Sequence, residues 1–393
     1  MAIDIMGASL TPLWLTYGIV SSAALYAVKK RRPSYVLLFA TLFSLVDSYL
    51  PFSYPSSPTD RVLEMVPLQF MFTLLRPAKM LMLAFDRGFL ARDMSMKQHI
   101  LLSILPVVPL KSLPEGLQKR IPAFRPSAGG LVQLGCWSVV LAMGAAVTCS
   151  MDPSSTGFIV RSVRHMVSFM GFMHVLLLGA AFLASAMGSE PLVRPFNSFW
   201  LAESVADWWN YRWNAVIGTS LRCTVYVPIV ERFKAANPGK DVPLHTKLLA
   251  GCATFAYSAI IHEQALMNQR EFRAAGRLTL FFMLQPVLVV VQPWLADVVS
   301  SGIMFLVVAT ERKQKDALLR VDSSERVQNG KESDTHAVLR RNMGRLTTVT
   351  LGVGAIVLLW CPAWDPPYSN FQIRIAAAML RALGVLESVP YCR

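Results

Sequence analysis

Charge is scarce in this chain. Of its 393 residues only 16% are Asp, Glu, Lys or Arg, where a soluble domain carries about a quarter. No long polar region is left that could fold by itself in water. Familiar catalytic signatures are missing as well. There is no GxSxG elbow, no P-loop and no GxGxxG opening a helix. No pair of carboxylates suits glycosidase work. The histidines form neither HxxxH nor HExxH, which argues against a membrane di-iron enzyme or a metalloprotease. His165 and His174, nine apart, are poorly spaced as ligands and read as packing residues. The six cysteines (Cys136, Cys149, Cys223, Cys252, Cys361 and Cys392) make no CxxC pair. Most lie in or beside apolar runs, where cysteine acts as a small hydrophobe, so neither a disulfide framework nor a zinc site is expected. There is no N-x-[ST] sequon. The first apolar run meets Lys29-Lys30-Arg31-Arg32 and not a small-residue cleavage site, so it reads as a retained span.

What remains is apolar: 54% of the residues are hydrophobic. Runs long enough to cross a bilayer recur at about 10–28, 35–52, 68–85, 131–149, 167–187, 246–264, 278–309 and 346–361. This predicts an all-α, polytopic transmembrane helical bundle of about eight spans, one domain over 1–393. The third run holds Arg76, Pro77 and Lys79, so it is expected at the interface or facing the bundle interior. The seventh is too long for one upright helix; it is either tilted or broken around Gln292-Pro293. Residues 310–345 are polar and of mixed charge, a flexible solvated loop. The proline-rich stretch 100–126 reads as re-entrant or interfacial.

The formal net charge is +14. Its basic residues are scattered along the chain, which speaks for membrane topology and against nucleic-acid binding. If Lys29 to Arg32 face the cytosol, alternation places 86–130, 188–245 and 310–345 there too. The far-side loops are then 53–67, 150–166 and 265–277. Arg270, Arg273 and Arg277 run against that pattern.

Two segments carry polar groups where an apolar bundle has little reason to hold them. In 197–233, "DWWNYRWN" (207–214) is aromatic and polar at once. A helix from Glu203 to Asn214 would stack Asn210 over Asn214 and Trp209 over Trp213. The plain reading is an interfacial amphipathic helix with anchoring tryptophans. The second segment is "SAIIHEQAL" (258–266), at the end of the sixth span. His262 is costly there unless it faces a cavity or a partner, and a bond to a neighbouring helix would satisfy it equally. Ser258 lies one turn earlier on the same face. A neutral histidine held at one nitrogen keeps the other as a base. Glu263 points about 100° away from His262 and is not its natural partner.

Together these segments resemble the membrane-bound O-acyltransferase superfamily. The nearer likeness is to its wax-synthase-like branch, which includes fungal O-acetyltransferases of terpenoid and meroterpenoid pathways. "DWWNYRWN" is similar to that family's Phe-Trp-x-x-Arg-Trp-Asn/His element, and "SLRCTVYVPIV" continues it. "AESVADWWNYRWN" looks like the corresponding stretch of diacylglycerol acyltransferases. "SAIIHEQAL" resembles the Ser-x-x-x-His-Glu element. "FDRGF" (85–89) is similar to an Arg-Gly-Ile-Gly-Trp element whose last three residues are absent here.

The resemblance implies a buried reaction tunnel, with His262 as catalytic base and Asn214 as the second polar group. Trp209, Arg212, Trp213 and Ser258 are then expected along the substrate path. The co-substrate is acetyl-CoA or another acyl-CoA, with no bound cofactor or metal. Its polyanionic end suits Arg222, Arg232 and Lys234 beside the motif, with Lys240 and Lys247 near by, though each of these also serves positive-inside topology. The acceptor is a hydrophobic alcohol arriving from the bilayer, by likeness a terpenoid-like metabolite, and the membrane is the endoplasmic reticulum. Within the class, a wax synthase is the alternative. Outside it, a proton-coupled transporter would use the intramembrane His and Glu, but it leaves "WWNYRWN" without a role. A scaffold that retains the fold without catalysis is a third reading.

Overall fold

The computed structural model describes residues 10–49, 75–150, 157–267, 276–318, 338, 341–348 and 350–352. The protein is mostly helical there. In chain order the helices are α1 (Leu10–Arg31), α2 (Val36–Tyr49), α3 (Arg76–Ala84), α4 (Met96–Ile104), α5 (Glu115–Gln118), α6 (Ala128–Ser150), α7 (Phe158–Ala186), α8 (Val205–Asp207), α9 (Ala215–Leu221), α10 (Val227–Ala236), α11 (Leu244–Met267) and α12 (Arg277–Leu318). Two short strands, β1 (Ala123–Phe124) and β2 (Leu192–Val193), pair antiparallel. Among the described residues, three helical stretches are long and apolar enough to cross a membrane: Ile159–Ala186, Leu244–Glu263 and Arg277–Ile303. Pro33–Asp47 and Ala128–Gly144 are shorter apolar helices. The expected loop 53–67, Arg270, Arg273 and the stretch 353–361 lie outside the described residues.

The N-terminal bundle packs α1 and α2 around α3 and α4. Lys29, Lys30 and Arg31 fill the last turn of α1, where cations complement the helix dipole. A capping box between Ser95 and Gln98 starts α4. Both cations of α3 face the interior, one of the two placements expected for them. Arg76 pairs with Asp47 and donates to Ser21 Oγ at 2.6 Å. Lys79 donates to the carbonyl oxygens of Leu102, at 2.7 Å, and Leu105. Buried charges require such partners. The chain leaves α3 through a turn with Asp86 and Gly88 at positive φ. A Cβ on Gly88 would come within 3.0 Å of Met82 Sδ.

Next to this bundle, α6 and α7 form a closely packed hairpin. A Cβ on Gly171 would lie 3.0 Å from the backbone of Leu141, so only glycine permits the approach. The third group is the pair α11 and α12. The segment between β2 and α11 joins all three.

Two expectations change, and a third stretch gains detail. The chain between Glu203 and Asn214 is not one α-helix. It runs as α8, then a π-helical turn over Trp208–Arg212, and ends where Trp213 turns extended and Asn214 takes φ 42°. The stacking of Asn210 on Asn214 and of Trp209 on Trp213 is therefore lost. The stretch 100–126 contains the end of α4, then α5 and β1, and it is held to β2 and to Pro191 by backbone hydrogen bonds. The polar stretch 310–345 begins as helix, because α12 continues to Leu318. Of the two readings offered for the seventh span, the unbroken helix holds: α12 passes through Pro286 and Pro293. Gln292, beside the second proline, donates to Gly344 O at 3.2 Å and Thr347 Oγ1 at 3.0 Å. Forty-two helical residues span about 63 Å, more than an upright crossing needs.

Candidate active site

His262 sits on α11 and borders a cavity with Leu75 and Ala78 from α3 and its entry, Ile217, Ser220 and Leu221 from α9, and Ser258 and Ile261 from α11. Its Nδ1 lies 2.7 Å from the carbonyl oxygen of Ser258 and 3.5 Å from Ser258 Oγ. A carbonyl only accepts, so Nδ1 carries the proton and the ring's lone pair is on Nε2. Phe282 of α12 leans on the imidazole with ring centroids 4.5 Å apart. The i, i+4 partnership with Ser258 was readable from the sequence. The donor is met by the backbone carbonyl of Ser258, with the hydroxyl only at the limit of reach.

Asn214 is buried and stands at the N-cap of α9, with Oδ1 accepting from the Ile217 amide at 3.3 Å. Its left-handed conformation suits asparagine better than most residues. One to two turns on, Ile217, Ser220 and Leu221 line the same cavity as His262. Asn214 therefore fixes the start of the helix that shares the cavity with the histidine.

The other residues of the motif divide by direction. Trp208, not Trp209, stacks on Trp213, with centroids 5.8 Å apart and planes at 25°, and Phe196 and Phe199 crowd the edges of Trp213. Trp209 turns the other way, against Phe255, Phe281 and Phe282, and its Nε1 donates to Gln285 at 3.0 Å. Arg212 is committed to an ion pair with Asp207. Thus Trp209 reaches toward the His262 helices, while Trp213 and Arg212 brace the turn that presents Asn214. Ser258 borders the cavity itself.

Of the expected cations, Arg222 donates to Asn210, and burial draws its guanidinium below the ordinary pKa. Arg232 and Lys234 stand exposed on α10, as do Lys240 and Lys247 beyond it. Arg87, from "FDRGF", bonds Glu231 at 2.6 Å, which ties that turn to α10. Sequence reading missed Phe282 and Gln285. Both lie in the seventh apolar run, and no local pattern marks them as neighbours of His262 or Trp209.

Residues 192–284 match the family model described as "Membrane bound O-acyl transferase family". That stretch starts at β2 and ends in the second turn of α12, so it holds Asn214, the cavity wall from α9, His262 and Phe282. Among curated relatives, "Acyl-CoA--sterol O-acyltransferase 1" of Arabidopsis thaliana is 30% identical over 112 residues, which is 28% of this chain and 31% of the relative. "Probable long-chain-alcohol O-fatty-acyltransferase 7" from the same plant is 33% identical over 97 residues, 25% of this chain and 27% of that one. "Probable long-chain-alcohol O-fatty-acyltransferase 2" is 32% identical over 114 residues, 29% of this chain and 32% of its own length. The chain matches less than a third of the length of each of these relatives.

Proposed function

We propose that this protein is a membrane O-acyltransferase that moves an acyl group from acyl-CoA to the hydroxyl of a hydrophobic alcohol. The observation that carries the reading is His262. It has an Nδ1–H donated to Ser258 and its lone pair on Nε2, and it borders a cavity also lined by α9, the helix that Asn214 caps. In the reaction, Nε2 takes the proton of the acceptor hydroxyl as that oxygen attacks the thioester carbonyl. The tetrahedral intermediate then expels the CoA sulfur, which receives the proton back from the imidazolium. Asn214 Nδ2 donates to the oxyanion; losing such a donor typically costs about 10²–10³ in rate. A sheltered path to the cavity keeps bulk water from hydrolysing the thioester.

Arg222, Arg232 and Lys234 meet the phosphates of CoA from the cytosolic side, and Trp209, Arg212 and Trp213 shape the path beside them. The resemblance of the motifs favours an acetyl donor and a terpenoid-like acceptor in the endoplasmic reticulum. A second reading, transfer of a fatty acyl group to a long-chain alcohol or sterol, is favoured by the names of the plant relatives.

Yeast microsomes bearing the chain, given labelled acetyl-CoA or palmitoyl-CoA with terpenoid, sterol and long-chain alcohols, separate these readings. Ester is expected from the wild type, and His262→Ala is expected to lower it by at least 10³-fold while still inserting. An undiminished rate in that variant would remove His262 from the mechanism. No ester with any pair, together with His262-dependent proton flux in liposomes, would favour a transporter.

A further inference from the structure

Glu263 follows His262 in sequence but leaves its neighbourhood in space. Its side chain is buried, and Oε1 accepts the backbone N–H of Thr279 at 2.9 Å. Thr279 is the third residue of α12, and Leu280 N already bonds back to Gly276 O. The first amides of a helix have no partner within it, so an acceptor oxygen from another helix can take one. Glu263 is thus a cap supplied to α12 by α11.

What α12 carries next gives this cap a purpose. Thr279, Phe282 and Gln285 follow one another at three-residue spacing, so they lie along one face of the helix. Phe282 backs the His262 ring. Gln285 is also buried; it accepts from Trp209 Nε1 and donates to its own helix at Phe281 O. One face of two turns therefore fixes the base and the aromatic arm of "WWNYRWN". Its height and rotation are set where Glu263 holds the first turn.

We infer that Glu263 is a positioning residue: it clamps the start of α12 so that Phe282 and Gln285 hold His262 and Trp209 in register. It exchanges no proton with substrate and acts through an acceptor oxygen. The inference rests on the transferase reading for its kinetic consequence, but the clamp itself can be observed without catalysis.

The test compares Glu263→Gln with Glu263→Ala in the full chain in nanodiscs. Gln keeps the acceptor oxygen and the shape but loses the charge. Glu263→Gln is expected to keep at least half of the wild-type kcat. Glu263→Ala is expected to lose at least tenfold in kcat, with KM for acyl-CoA within about twofold. Amide exchange in a peptide covering residues 277–284 is expected to match wild type in Glu263→Gln and to quicken at least tenfold in Glu263→Ala. If Glu263→Gln is as inactive as Glu263→Ala, the carboxylate charge is what matters and the clamp is overturned. Unchanged exchange in Glu263→Ala overturns it as well. If the wild type forms no ester with any acyl-CoA, the transferase reading falls, and the exchange measurement still decides whether Glu263 clamps α12.

Discussion

Asn214 has two tasks that substitution can separate. Its φ of 42° and its cap on Ile217 are structural, whereas donation from Nδ2 belongs to the proposed chemistry. Aspartate also caps and also tolerates the left-handed region, but it has no N–H to give. Asn214→Asp is therefore expected to fold and insert like wild type while losing about 10²–10³ in kcat. Asn214→Ala loses the cap and strains the backbone, costing about 2 kcal/mol of stability besides. Detergent melting curves and initial ester-forming rates of the two variants distinguish the roles; full activity in Asn214→Asp would leave Asn214 a cap alone. The sequence offered part of this. The His262–Ser258 pairing follows from helix spacing, and spacing also turned Glu263 away from its neighbour. The left-handed turn at Asn214 does not follow, because the local pattern favoured continued helix through Trp213. What stops it is an aromatic cluster of Phe196, Phe199 and Trp208 around Trp213, with Phe196 and Phe199 supplied from outside the window.

At the scale of elements, apolar length predicted most of the helices, because the bilayer requires every backbone polar group to be satisfied within its own segment. Pairings between elements were less visible. β1 and β2 are two residues each, separated by the whole α6–α7 hairpin, and nothing in either strand names its partner. The hairpin itself depends on small residues. At Gly171 a side chain would meet the backbone of Leu141, which has no flexible end to move aside. Gly171→Val is expected to push α6 from α7 and cost about 1–3 kcal/mol, as overpacking does elsewhere. The measurement is thermal aggregation of detergent-solubilised protein. Gly179→Val is the control, since nothing lies within 4 Å of a Cβ there. Equal melting of the two variants would show that the close approach contributes little.

For the whole molecule, the stretches that charge at 29–32 and alternation would place in the cytosol touch one another at several points. Lys29 Nζ donates to Leu90 O at 2.8 Å, and Lys30 pairs with Asp93. Arg120 donates to Tyr211 Oη at 3.1 Å, and Arg345 donates to Glu203 at 3.1 Å. With the β1–β2 pair and the Arg87–Glu231 bond, these contacts link residues from 29–32, 86–130, 188–245 and 341–345 into one connected network. Gly157, at the start of α7, lies a 29-residue helix away, about 43 Å. The helix that Arg87 reaches through Glu231, α10, also carries the exposed Arg232 and Lys234. The absence of native sequons makes the orientation directly measurable, since an introduced Asn-x-Ser/Thr is glycosylated only on the lumenal side. A polar insert bearing one sequon is expected to be modified when placed after Gly157 and to stay unmodified after Gly239. The reverse pattern would put Arg232 and Lys234 in the lumen, away from cytosolic acyl-CoA, and would reassign the donor entry. Modification at both sites would break the alternation on which the topology rests.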